Sequence, residues 1–223
     1  MFMVNIVDEA TKILKKPIGW VELDLDFDLL EWGEEASIIN QYLVEHREGE
    51  THKGWESCCI HGIDVHKTGH WNQYTDNENN ISYKWTSIAP LVPSITSFWK
   101  SFPTEKFARL RFMKLSPGGW ITPHNDAPNG LKNTDFNMMD HMIPINIAIT
   151  HPDNCEMILD TYGKVPWKPG KAFIINITDT HRVNNNSTLP RMHMIAHCII
   201  GNQKEEFSEL LVRSYKKNHD NKL

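Results

Sequence analysis

From about residue 105 the chain is written in short runs rich in Ile, Phe, Met and Leu, each closed by a cluster of turn-forming residues. The runs are Phe107–Leu115, Met142–Thr150, Glu156–Leu159, Ala172–Ile177 and Met192–Ile200. Turn signals stand at Ser116-Pro117-Gly118-Gly119, Pro152-Asp153-Asn154, Lys168-Pro169-Gly170 and Asn184-Asn185-Asn186. Runs this short satisfy their backbone groups by pairing with one another, and several of them in series predict an antiparallel sandwich or barrel.

The first hundred residues read differently, as mixed α and β. Ile38, Ile39, Tyr42 and Leu43 form a helical stripe within Glu34–Arg47, and Leu91–Phe102 predicts a second helix with Pro93 in its first turn and Pro103 beyond its end. Between them lies a stretch rich in His, Trp and Asn, whose Trp55, His61, His66, His70, Trp71 and Trp85 suit either a pocket lining or core cover. Lys204–Lys217 predicts a closing helix with Phe207, Leu210 and Leu211 on one side, followed by a loose tail. The expected architecture is mainly β with flanking helices in a single domain over 1–223. Residues 1–104 form an N-terminal α/β region, 105–200 the β core, and 201–223 the C-terminal helix and tail.

Charge narrows the function classes. With 23 Lys plus Arg against 28 Asp plus Glu, the net of -5 opposes binding to nucleic acid or an anionic membrane surface. No apolar run approaches a membrane span, and Met1–Lys16 is broken by Asp8, Glu9 and Lys12, unlike a signal peptide. The four cysteines, Cys58, Cys59, Cys155 and Cys198, have no Cys-x-x-Cys spacing, so a reducing cytoplasm is the expected compartment.

The chemistry sits in histidine and carboxylate spacing. Twelve histidines and 28 acids give about 1.5 chance matches to His-x-Asp/Glu, so one match proves nothing. Two of its matches are His46-Arg47-Glu48 and His124-Asn125-Asp126. On a helix residues i and i+2 point about 200° apart, whereas on an extended segment they share a face. The first pair ends the helical stripe and grips an ion poorly. The second lies between Pro123 and Pro128, which favour extended backbone, so His124 and Asp126 can project together. His181, beyond the run ending at Ile177, is the best third ligand. Two imidazoles and a carboxylate on one face leave three coordination positions open, an arrangement that suits Fe(II) activating O2. Arg191, ten residues on, can hold a carboxylate bidentately, and His193 on the same strand face can add a hydrogen bond.

These segments, Arg109-Leu110-Arg111-Phe112 through Pro117-Gly118, Pro123-His124-Asn125-Asp126, Lys168-Pro169-Gly170-Lys171, His181-Arg182-Val183-Asn184 and Arg191, resemble the aspartyl/asparaginyl β-hydroxylase family of Fe(II)- and 2-oxoglutarate-dependent oxygenases. The resemblance spans roughly residues 80–200. It implies a double-stranded β-helix, a cupin-like jelly roll, with His124, Asp126 and His181 as iron ligands and Arg191 holding the distal carboxylate of 2-oxoglutarate. It further implies O2-dependent hydroxylation of a C–H bond of an amino acid or peptidyl side chain, with release of succinate and CO2. The complete triad is more similar to bacterial members, including those that hydroxylate free proline, than to the animal enzymes, which have Gly at the position of Asp126 and basic residues where this chain has Met142 and Pro144. An anionic third ligand also argues against halogenation. His61, Trp120 and Asn146 are candidate substrate contacts.

Each residue has a plainer reading. His124 with Asp126 is also what a loop hydrogen bond looks like, His181 alone a surface histidine, Arg191 alone a salt-bridge partner, and the tryptophans core packing. Arg109 and Arg111 share a strand face and suit either acidic partners or a ligand. The rival function is a cupin-type binding or sensor protein without turnover. A nucleic-acid demethylase would instead need a second arginine near His197 and a basic surface.

Overall fold

The computed structural model describes residues 5–46, 51–126 and 142–220, with Trp71, Glu78 and Asp220 described by backbone alone. Arg47 and Glu48 of the first His-x-acid motif, Pro128, and the last residues of the tail lie outside the described residues.

Helix α1 (Ile6–Leu14) begins where the Asn5 side chain accepts the Val7 N–H, and strand β1 (Trp20–Leu23) follows. Neither is expected from the apolar pattern. Helix α2 (Leu29–Ile39) starts five residues before the predicted stripe, because the Asp28 carboxylate caps the Leu30 and Glu31 N–H groups. It buries Trp32, Glu35, Ala36 and Ile39 while Ile38 faces out, and it gives way at Asn40–Tyr42 to a 3-10 turn and strand β2 (Val44–Glu45). His46 therefore lies past a strand, not on a helix.

The His- and Trp-rich stretch contains the 11-residue strand β3 (His52–Gly62), which pairs antiparallel with β2 and with the two-residue β4 (Lys84–Trp85). Helix α3 (Pro93–Ser101) matches its prediction, and its free N–H groups at Ser94 and Ile95 donate to the buried Glu35 carboxylate at 2.7 and 3.0 Å. That bond ties α2 to α3.

Strand β5 (Lys106–His124) runs through the expected turn at Ser116–Gly119. The glycines bend it instead: Gly118 adopts φ +67°, and a Cβ at Gly119 would stand 2.8 Å from the Lys53 and Ser116 carbonyls. The buried Asn185 amide donates to the Leu115 and Ser116 carbonyls at the bend. Then come β6 (Met142–Thr150), β7 (Cys155–Leu159), β8 (Gly163–Lys164), β9 (Ala172–Ile175), β10 (His181–Asn185), β11 (Arg191–Ile199) and helix α4 (Lys204–Asp220).

The antiparallel order is β1-β9-β6-β11-β5-β10-β7-β8, with β3 on the other edge of β5. Before its bend β5 pairs with β11, and after it with β10, so one strand carries the sheet around a corner into a second wall. The result is a curled half-barrel flanked, among the described residues, by four α-helices, a jelly-roll architecture.

Strand alternation divides the core in two. Ile143, Ile145, Ile147 and Ile149 of β6, Met192, Met194, Ala196 and Cys198 of β11, and Leu110 and Phe112 of β5 pack against Trp32, Trp99 and Phe207 of the helices. The opposite face turns inward, where Leu115, Ile121, Ala148, Met157, Leu159, Trp167, Phe173 and Val183 form a second cluster between the walls. Strands buried on both faces lose the apolar/polar alternation that marks a half-exposed sheet.

Candidate metal centre and cavity

The half-barrel encloses a cavity of about 430 Å³. Its apolar lining includes Met113, Ile121, Met157, Ile175, Ile177, Val183 and Ile195, and its polar lining includes His124, Asp126, His181, Asn146 and Arg191.

His124 ends β5 and His181 opens β10, and the two are direct partners in the antiparallel register. This pairing makes residues 57 apart in sequence neighbours, with ring centroids 4.3 Å apart. Asp126 is held by its own N–H, which donates to the Ile177 carbonyl at 2.9 Å. One donor atom from each of His124, Asp126 and His181 lies within 4.8 Å of the others, the only such cluster of three among the described residues.

Tautomers decide whether those donors can bind a cation. His124 Nδ1 lies 2.8 Å from the Thr122 carbonyl and His181 Nδ1 3.0 Å from the Asp179 carbonyl. A carbonyl only accepts, so both Nδ1 atoms carry the proton and both Nε2 atoms offer lone pairs. Burial, opposed by the Asp179 carbonyl, lowers the pKa of His181. Its 3.9 Å approach to the Asp126 carboxylate is therefore that of two ligand atoms facing a common point rather than of an ion pair. Two imidazoles held at Nδ1 and a carboxylate suit a divalent first-row metal such as Fe(II).

Arg191 opens β11 opposite Leu115 and is 5% exposed. Its Nε is a buried donor with no partner among the described residues. Burial lowers its pKa, and the neighbouring Cys155 opposes the shift. A buried guanidinium facing a cavity is costly until an anion arrives, so the site fits one carboxylate of a dicarboxylate co-substrate.

His193 was expected to give that anion a second hydrogen bond, but it is not among the cavity's lining residues. His151 Nε2 lies 2.9 Å from the Cys155 carbonyl and so carries a proton; with its pKa lowered to about 4, chiefly by burial, the ring is neutral and its Nδ1 must accept. Its Nδ1 is 2.9 Å from His193 Nε2, so His193 donates there and keeps a bare lone pair on its buried Nδ1. His193 is thus a strut behind Arg191, packed against Trp167, and lacks the proton a carboxylate would need. His151 was invisible as a participant because its role depends on the β6–β11 pairing.

Of the three expected substrate contacts, Asn146 alone lines the cavity. His61 is buried among Trp85 and Phe107 outside it, where desolvation lowers its pKa to about 4. Trp120 pairs with Lys53 and Asn184 and is not a lining residue either, because its neighbour Ile121 takes the inward face. Beyond these candidates the cavity is also lined by His46 and His197, and by Trp55, His70, Arg109 and Arg111, which the sequence leaves open between a cavity role and a plainer one. His46 reaches the cavity while bonded through Nδ1 to Ser57 at 2.7 Å and Thr68 at 3.1 Å.

The sequence matches a family model described as aspartyl/asparaginyl β-hydroxylase over residues 28–199. Among solved structures, it is similar to a prolyl hydroxylase from Trichoplax adhaerens crystallised with a hypoxia-inducible factor peptide fragment, at TM-score 0.53 and 9% identity, covering 92% of this chain and 96% of that one. It is also similar to an oxidoreductase of the 2OG-Fe(II) oxygenase family from Burkholderia pseudomallei, at TM-score 0.51 and 13% identity, covering 86% and 89%. At these identities the likeness is one of fold. No curated protein sequence matches the chain significantly.

Proposed function

The chain belongs to the aspartyl/asparaginyl β-hydroxylase family, and from that premise we propose that it hydroxylates a C–H bond of an amino acid or peptidyl side chain, using Fe(II), 2-oxoglutarate and O2. The observation that carries this reading is the convergence of three donors within 4.8 Å, both imidazoles held from behind in the tautomer that points a lone pair inward. His124, Asp126 and His181 would hold the metal and Arg191 the distal carboxylate of the co-substrate. Once bound, iron with 2-oxoglutarate and O2 supplies the oxidising power that turns C–H into C–OH and yields succinate and CO2.

The protein's own residues supply placement and shielding. The Thr122 and Asp179 carbonyls fix the two ligand rings, and the Asp126 N–H bond to Ile177 fixes the carboxylate. Met113, Ile121, Met157, Ile175 and Val183 keep the interior apolar, which strengthens the pull of Arg191 on an anion. Asn146 offers a donor and an acceptor from β6 for substrate orientation. We read residues 1–223 as one oxygenase unit, because the helical layer packs on the outer face of the sheet whose inner face forms the cavity. No helix among the described residues is long and apolar enough to cross a membrane, and the four cysteines are unpaired, which supports a reducing compartment such as the cytoplasm.

The test is a panel of free amino acids and short peptides monitored by succinate release, with His124→Ala as the blank. Succinate formed in proportion to a consumed panel member supports the hydroxylase. Binding of iron and 2-oxoglutarate with no substrate-stimulated succinate would replace it with a binding or sensor protein.

A further inference from the structure

Behind the cavity wall a chain of buried polar groups ends beside Arg191. The Cys155 carbonyl accepts from His151 Nε2 at 2.9 Å, and His151 Nδ1 accepts from His193 Nε2 at 2.9 Å. Burial keeps both rings neutral at pH 7, and a carbonyl cannot donate, so Cys155 sets the direction of every bond in the chain. Its free end is the lone pair on His193 Nδ1, which is buried and has no partner among the described residues. Trp167 and His151 flank the His193 ring at centroid distances of 4.5 and 5.1 Å and hold it in place.

Arg191 carries the complementary orphan. It precedes His193 by two residues on the same face of β11, a Cα spacing of about 7 Å. The side chain lines the cavity, yet its Nε–H is shut off from solvent and has no partner among the described residues. A molecule in the cavity therefore meets the Nη groups and does not reach Nε. The Arg191 charge helps to lower the pKa of both imidazoles, which places it close to them. Two other groups compete for these atoms. The Cys155 thiol, whose pKa burial raises, is neutral and a weak acceptor. The Trp167 Nε1–H is a second buried donor without a partner among the described residues, but it is uncharged, and a cationic N–H makes the stronger bond.

We propose that His193 and, through it, His151 are positioning residues for the co-substrate: the His193 Nδ1 lone pair accepts the Arg191 Nε–H when 2-oxoglutarate binds, which aims the two Nη groups at its distal carboxylate. The inference rests on the hydroxylase reading above. A guanidinium meets a carboxylate either along its Nε edge or through its two Nη groups, and with Nε turned to His193 only the second is left. Both orphan atoms are sealed from water, so each is satisfied by the other or stays unsatisfied. A small movement of the arginine as the anion draws it forward satisfies both. The tautomer is decisive, because a proton on His193 Nδ1 would set two donors against each other. Neither imidazole touches the anion; both act through Arg191.

Calorimetry of the full-length protein loaded with Mn(II) reads 2-oxoglutarate affinity without turnover. His193→Leu and His151→Phe should each weaken it by at least ~10-fold, the loss expected for one charge-assisted hydrogen bond, while Mn(II) affinity stays within about twofold. His151→Gln, whose amide can donate to the Cys155 carbonyl and accept from His193, should recover most of the loss. The double variant His193→Leu with His151→Phe should be no weaker than His193→Leu alone, because links in series fail together. Trp167→Phe should bind 2-oxoglutarate as the parent does. Unchanged affinity in His193→Leu would overturn the proposal, and so would an equal loss in Trp167→Phe, which would give the lone pair to the indole. Nitrogen NMR of the parent protein, 15N-labelled at histidine and loaded with Zn(II), needs no variant to fold. Both rings should carry their proton on Nε2, and the His193 Nδ1 signal should shift when 2-oxoglutarate is added. A proton on His193 Nδ1, or a signal that 2-oxoglutarate leaves in place, would overturn the proposal. Failure of the parent to bind Mn(II) and 2-oxoglutarate at all would instead reject the hydroxylase reading.

Discussion

The two faces of the main sheet use the same strands to opposite ends. On β6, β11 and β5 the outward positions are Ile143, Ile145, Ile147, Met192, Met194, Leu110 and Phe112, all packed under the helices. The inward positions of the same strands are Asn146, Arg191, Ile195, His197, Arg109 and Arg111. Both faces are largely withdrawn from water, so burial alone does not tell them apart. One gains free energy from apolar contact, while the other withdraws polar and charged groups from solvent, a cost that bound ions and ligands offset. Stability and chemistry are thereby separated by the pleat of a strand, with residues one apart serving different purposes.

That separation predicts sharply different phenotypes. The largest effect is expected on the inward face: His124→Ala or His181→Ala should reduce succinate formation by at least ~10³-fold while the melting temperature of the metal-free protein changes little. A large loss of stability in both variants would break the comparison. Next, Phe112→Ala on the outward face should cost about 3–5 kcal/mol in urea unfolding, because it leaves a void against the helices. Its 2-oxoglutarate requirement should stay near that of the parent. Arg191→Met tests both faces at once. The co-substrate requirement should rise by roughly 10–100-fold, and the ligand-free protein should be as stable as the parent or more so, since a buried charge has been removed.

The smallest effect is a pH slope. His61 and His151 are each held near pKa 4, mainly by burial, against an ordinary 6.5. Above pH 6.5 both are neutral folded or unfolded. Below it the unfolded protein takes up protons that the folded protein refuses, so stability should decline from pH 6.5 towards about 4. Urea midpoints measured across that window should fall less steeply in His61→Phe. An identical slope would mean that His61 titrates alike in both states.

How much of this was legible from residue order varies by element. β6 and α3 lie where apolar runs and flanking prolines predict them, because their local signals agree with their tertiary contacts. β3 was hidden because Cys58 and Ile60 pack under the helices while Trp55 faces the cavity, so both faces are covered and no alternation survives. The residue pattern ends β5 at Leu115 because Ser-Pro-Gly-Gly signals a turn in isolation. In the structure its backbone groups find partners on β3 and Asn185, and the strand continues as a bend. The expected substrate contacts His61 and Trp120 lie off the cavity lining, because residue order alone does not show which side chains a strand sends in or out.

What the sequence determined by itself was the donor set: an imidazole and a carboxylate two apart on an extended segment, a second imidazole and an arginine downstream, and short strands to carry them. Those are local properties, fixed by residue type and by φ/ψ preference. Only the tertiary structure decided that His124 faces His181 across a strand pair, that His193 donates to His151 rather than into the cavity, and that Arg109 and Arg111 line the cavity. Each of these depends on register, and register is set by long-range pairing and by which face the helices cover.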